Sequence, residues 1–203
     1  MAAAGRRTKS TAAPARARLG RSERRAAIVA AAAGVFEVGG YAAASMVDIA
    51  AASAVSHLIV YRHFESKHAL YDTVLEGARR TLEARLAWPG AIGRYGPTTA
   101  AVLDAARADV AGFRVLWRHA AREPEFAHHS DAARVAMVAR AIDAQAPIVA
   151  GHRAGWAARA TVAFVVDAVL AWVEDGDPGL DARFVAATDA AMRAGVRSWA
   201  KPV

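Results

Sequence analysis

Between Ser56 and Lys67 the chain sets hydrogen-bonding and charged side chains at close spacing: Ser56, His57, Tyr61, Arg62, His63 and Lys67, with the apolar pair Leu58-Ile59 among them. Hydroxyl, imidazole and phenol are neutral donors and acceptors, whereas guanidinium and ammonium are cations that donate only. Such a set suits contact with phosphate oxygens and with the edges of bases. His57 can bond a base edge, Leu58 and Ile59 can offer apolar contact to a thymine methyl, and Tyr61 and His63 suit phosphate oxygens. Helical geometry cannot turn both Leu58 and Ile59 outward, so one of them packs inward, and Phe64 belongs to the core.

Lys67 is informative by its position. With Ser66 as the N-cap of a following helix, Lys67 falls in the first turn, where the macrodipole disfavours a cation by about 0.3–1 kcal/mol. A lysine set against its local electrostatics asks for a partner, and a phosphate at that helix N-terminus would supply one.

The elements that position these groups are short helices. Ile28, Ala31, Ala32, Val35 and Phe36 repeat at helical spacing from a start near Arg21-Ser22, and Gly39-Gly40 stops the helix near Val38. Ser45, with Asp48 three residues on, caps a second helix whose inner face carries Ile49 and Ala50. The turn Ser53-Ala54-Val55 leads to Ser56, the N-cap of a third helix. Three helices in about fifty residues form a helix-turn-helix unit.

The series Phe36, Gly40, Tyr41, Ser45, Asp48-Ile49-Ala50, Val55-Ser56, Tyr61-Arg62-His63-Phe64, Ser66-Lys67 and Leu70 resembles the DNA-binding domain of the TetR family of bacterial transcriptional regulators. The match runs without gaps from roughly Arg24 to Leu75. It departs from the family pattern at Ala54, where a glycine is usual, and at Leu58-Ile59, where a glycine-threonine pair is common. The resemblance implies an all-α fold, with an N-terminal three-helix DNA-binding domain and a C-terminal helical domain for ligand binding and dimerisation. It implies a cytoplasmic homodimer on a palindromic double-stranded DNA operator, a repressor released by a small hydrophobic effector. The DNA-contacting set expected is Ser45, Met46, Val47, Ser56, His57, Leu58, Ile59, Tyr61, Arg62, His63 and Lys67.

The division expected is an arm over 1–20, the helix-turn-helix unit over 21–68 and the helical domain over 69–203. Up to Arg25 there are eight cations against the single acid Glu23, a balance of +7 that equals the whole-chain net charge, so the remainder carries 18 of each sign. The excess sits in a disordered arm suited to phosphate contact. This arm supports a second reading, a helical ligand-binding or scaffold protein whose DNA affinity is only non-specific. Absence of cysteine excludes disulfides, thiolate metal sites and a cysteine nucleophile.

Beyond Tyr71 the pattern predicts helices at 66–86, 98–109, 111–121, 124–146, 152–174 and 179–198, separated by proline and glycine turns. The last two, with small residues and the series Phe184, Ala187, Ala191, Gly195 and Trp199, read as a dimer-forming pair. Phe113, Trp117, Phe126 and Phe164 are candidates to line an apolar pocket, with polarity from Arg114, His119, Asp143 or His152. The most apolar run, Ala160 to Val173, is broken by Asp167 and is shorter than a membrane span. His128-His129 with Asp131 could suggest a metal, but consecutive helical residues diverge and no i, i+4 ligand pair follows. No cofactor, metal site or catalytic residue is expected, since no glycine-rich phosphate loop, G-x-S-x-G elbow or H-E-x-x-H is present.

Overall fold

The computed structural model describes residues 20–87 and 95–200, so the basic arm lies outside the described residues except for its last position. Helices follow one another as α1 (Arg21–Ala43), α2 (Met46–Ala52), α3 (His57–His63), α4 (Lys67–Leu86), α5 (Tyr95–Ala108), α6 (Val110–Arg114), α7 (Ala127–Gln145), α8 (Arg153–Asp175) and α9 (Asp181–Ala200). There is no strand among the described residues.

Local chemistry sets most of the boundaries. Helix α1 starts one residue before the expected Ser22 cap, with Gly20 at the N-cap position and its N–H donating to Glu23 Oε2 at 2.8 Å. Its regular course ends at Gly40, whose φ of +71° interrupts the helical backbone, as the glycine pair foretold. Ser45 caps α2 by accepting from the Asp48 N–H at 3.1 Å, while its hydroxyl donates to the Asp48 carboxylate at 2.5 Å. Ser66 caps α4 by accepting from the Ala69 N–H at 3.0 Å.

Some elements depart from the expected ranges. Helix α5 begins at Tyr95 rather than 98, because Pro97 lies in a first turn whose N–H groups need no intrahelical partner. The predicted helix 111–121 is α6 followed by a π turn at Val115–His119 and a 3₁₀ turn at Ala120–Arg122. Glu123 is extended ahead of Pro124, as the proline ring demands of its predecessor, so α7 starts at Ala127 rather than 124.

One hydrophobic core runs through the molecule. Ile28, Phe36, Ile49, Val60 and Phe64 of the first three helices join Leu70, Tyr71 and Leu75 of α4, and these continue to Phe113, Leu116, Val165 and Met192. Helices α1 and α8 are each long and apolar enough to cross a membrane by length and composition, which corrects the shorter run expected around Ala160. Both supply side chains to this core.

Lys67 finds its partner inside the chain. Its ammonium donates to Tyr41 O at 2.7 Å and Ala44 O at 3.0 Å and lies 4.2 Å above the Tyr41 ring centre. The carbonyls that follow the α1 kink thus supply the negative potential that the α4 N-terminus withholds. Lys67→Met should therefore cost about 1.5–3 kcal/mol in urea unfolding, the range for hydrogen bonds to a charged group. A lysine serving DNA phosphate alone would leave stability unchanged.

Ala54, in the α2–α3 turn, has φ +52°, a left-handed conformation that costs a non-glycine residue about 1–2 kcal/mol. Ala54→Gly removes that cost but returns about 0.4–1 kcal/mol through the freer unfolded chain. A net gain of roughly 0.5–1 kcal/mol is expected in the same measurement.

Candidate nucleic-acid interface

Helix α3 is held by three inward side chains. Val60 is fully buried, Phe64 nearly so, and Ile59 packs against the core. Leu58 is therefore the outward member of its pair, 62% exposed. The inside of this seven-residue helix is fixed by the core, so its outer face is fixed as well.

That outer face carries His57, Leu58, Tyr61 and Arg62, all exposed. His57 and Tyr61 lie one turn apart with ring centres 4.6 Å apart, edge to face. Ser56 occupies the N-cap position without a side-chain capping bond, so its hydroxyl is left for another partner. On α2, Val47 is 62% exposed, while Ser45 has committed its hydroxyl to Asp48.

Two of the expected contacts need correction. Met46 is 6% exposed and belongs to the core, because the α2 face that carries Ile49 and Ala50 also carries Met46. Lys67, expected to take its partner from DNA phosphate, has its ammonium engaged by the Tyr41 and Ala44 carbonyls. The lysine thus braces α4 to α1.

The structure adds cations that had been counted with the arm. Arg21 and Arg24, from the first turn of α1, line a recess with Ile59, Arg62 and His63, and the Arg25 guanidinium lies 4.6 Å over the Phe64 ring. Burial first, and then Arg21, Arg24 and Arg25, push the His63 imidazole below its ordinary pKa, which favours a neutral ring. The spacing of residues 21, 24 and 25 at three and four was the available signal, since it sets them on one helical face.

Contacts with the C-terminal helices position this unit. The Arg114 guanidinium donates to Glu37 of α1 at 2.5 Å and to Val173 O of α8 at 3.1 Å. His119, in the π turn, lies 2.9 Å from Glu37 O through Nε2, which must be the protonated nitrogen because a carbonyl only accepts. Glu123 accepts from the Tyr41 N–H at 2.9 Å and from the buried Tyr71 phenol at 2.5 Å. Burial, followed by the Glu123 contact, raises the Tyr71 pKa and keeps the phenol protonated as the donor. A Cβ on Gly40 would come within 2.8 Å of Glu123 Oε1 and 2.9 Å of His119 Nδ1, so glycine is required both by space and by its positive φ.

Among the described residues, the aromatic residues expected at a pocket lie apart from the cavity among the C-terminal helices. Phe113 and Trp117 are buried against each other's ring edges. Phe126 packs with Tyr41 and Tyr71 at the α1–α4 junction, and Phe164 is 43% exposed on α8. Helical spacing marked these residues as apolar without telling which neighbours would enclose them. Of the proposed polar groups, Arg114 and His119 serve the α1 junction, and Asp143 and His152 are exposed. A small cavity is bordered by α5, α7, α8 and α9, with Met137, Ala141, Thr161, Val165 and Met192 in its wall. It measures about 30 Å³, space for one water.

Residues 28–74 match the family described as bacterial regulatory proteins, tetR family. A relative from Mycolicibacterium smegmatis, named HTH-type transcriptional activator FasR, is 30% identical over 172 residues, spanning 79% of this chain and 77% of the relative. Among solved structures, a TetR-like transcriptional regulator from Rhodococcus sp. RHA1 shares the fold with a TM-score of 0.72, 21% identity and coverage of 88% of this chain and all of that one. NalD of Pseudomonas aeruginosa, described as the secondary repressor of the MexAB-OprM multidrug efflux pump, superposes with a TM-score of 0.62 at 21% identity, covering 87% and 97% of the two chains. The matched segment contains both helices of the helix-turn-helix and the exposed face of α3 just described, and the similarity extends through the C-terminal helices: the chain belongs to the TetR family of bacterial transcriptional regulators.

Proposed function

We propose that the chain is a homodimeric, ligand-responsive repressor that binds a palindromic operator through α3 and is released by a small apolar effector. Residues 21–68 read DNA, and 69–203 bind the effector and form the dimer. The observation that carries this reading is the sorting of α3, with Val60 and Phe64 inside and His57, Leu58, Tyr61 and Arg62 outside beside the Arg21 and Arg24 recess. His57 and Leu58, near the N-terminus of the recognition helix, face base edges, whereas Tyr61, Arg62 and the α1 arginines face phosphates.

Effector release is supported by the cavity among α5, α7, α8 and α9. Its walls are mostly apolar, with Arg140, Thr161 and Thr99, whose hydroxyl donates to Asp189 at 2.7 Å, as polar features. Admission of a ligand larger than one water requires these helices to part. Helix α8 also holds Arg114 through Val173 O, and Arg114 holds Glu37 of α1, so a shift of α8 reaches the DNA-reading unit through two hydrogen bonds.

Dimerisation through α8 and α9 is supported by what these helices leave uncovered. Trp156 is 50% exposed, Phe164 is 43% exposed, and Ala187 and Ala191 face outward. Large apolar side chains beside small ones suit close packing of helices from a second copy.

The relative from M. smegmatis is named an activator, which favours a second reading in which the bound dimer promotes transcription. In vitro transcription from the operator-bearing promoter, with and without protein, decides between the two by the sign of the change.

Two further outcomes are expected. His57→Ala should change which base is preferred at one position in each half-site, whereas Arg62→Ala should weaken all sequences alike and reduce the salt slope by about 1, both read from titrations of operator and scrambled duplexes at several salt concentrations. Trp156→Glu combined with Phe164→Glu should yield a folded monomer in sedimentation, with operator affinity lowered on the order of 100-fold as the two half-sites cease to be linked.

A further inference from the structure

The start of α7 brings two imidazoles against a carboxylate of α4. One nitrogen of His128, one nitrogen of His129 and one oxygen of Asp72 all lie within 4.8 Å of one another. His129 Nε2 is 2.8 Å from Asp72 Oδ1, and the two imidazole rings have centres 4.1 Å apart with planes inclined by 36°. Adjacent helical residues ordinarily diverge. Here their side chains converge, in the first turn of α7 and directly after Phe126, which is packed in the aromatic cluster.

We propose that Asp72, His128 and His129 form a binding site for a zinc-class divalent transition metal. Two imidazoles and a carboxylate are a donor set for a borderline cation such as Zn²⁺, Co²⁺ or Ni²⁺, and three protein ligands leave the fourth position for water. A tetrahedral ion with bonds of about 2.0–2.1 Å holds its donors about 3.3 Å apart, which small side-chain adjustments reach from the present positions. The remaining imidazole nitrogen is also provided for. His128 Nδ1 lies 3.2 Å from Glu125 O, and since that carbonyl only accepts, Nδ1 carries the proton and Nε2 presents its lone pair.

The surroundings fix the ligand count and the route of entry. Glu76 Oε2 is 4.0 Å from His129 Nδ1, but the Glu76 carboxylate is taken by Arg79 and Arg80, so it supports the site from outside rather than binding the ion. His129 is buried, while His128 is exposed and Asp72 is partly so, which leaves an open side for the ion and its water. The cation replaces the proton shared between His129 and Asp72 and ties α4 to α7.

The test uses the full-length chain without an affinity tag, stripped with a chelator and titrated with Zn²⁺ against a chromophoric competitor, with Co²⁺ as a spectroscopic probe. One equivalent per chain is expected, with Co²⁺ giving the intense visible bands of a four-coordinate site. His128→Ala, at an exposed position, should lower Zn²⁺ affinity by at least about 100-fold, as should Asp72→Asn, because removing a ligand exceeds the effect of removing its outer partner. His152→Ala, exposed at the α8 N-terminus, should leave the affinity unchanged. Circular dichroism of the metal-free variants confirms that they are folded. Failure of the parent chain to bind an equivalent, or binding that survives both His128→Ala and Asp72→Asn, overturns the proposal.

Discussion

The structure depends on how the end of α1 is held. At Gly40 the backbone leaves the helix through a left-handed conformation, and four backbone groups around the break are met by residues distant in sequence. Glu123 takes the Tyr41 N–H, Lys67 takes the Tyr41 and Ala44 carbonyls, and His119 takes the carbonyl of Glu37. Buried backbone groups without partners are costly, so these contacts fix both where α1 ends and where α2 begins. Because α3 packs on α2, the direction of its exposed face follows from the same junction.

This arrangement joins recognition to the C-terminal helices by chemistry as well as by packing. The π turn at Val115–His119 follows α6 directly, and the groups that reach α1 stand at its two ends, Arg114 just before it and His119 as its last residue. Irregular turns of this kind are frequent at functional positions. The apolar core continues through the same region by way of Phe36, Tyr71 and Phe126, whose rings meet edge to face. Neither part can move far without disturbing the other.

The histidines of α7 illustrate a limit of reading along a chain. Along the chain His128 and His129 read as no metal pair, because consecutive residues on a helix diverge and no i, i+4 ligand pair follows. Their carboxylate partner is Asp72, 57 positions away from His129, which α4 delivers. Lys67 follows the same logic. Its conflict with the α4 dipole calls for a partner, and in the fold its ammonium is met by the carbonyls at the end of α1.

By itself the sequence determined most of the helices, the Ser45 and Ser66 caps and the family. Ser45 with Asp48, Ser66, Gly39-Gly40 and the apolar repeats act over a few residues, and their physics is complete within that span. The sorting of Leu58 outward and Ile59 inward was legible only as a choice of one, since helical geometry forbids both but cannot name which. What tertiary structure alone decided is whom each side chain meets. Phe126 joined the α1–α4 junction instead of a ligand pocket, Met46 entered the core, and Arg21 and Arg24 moved from the arm's charge to the flank of the recognition helix. Hydrophobicity and charge are properties of a residue, but enclosure and pairing are properties of the neighbours that folding brings to it.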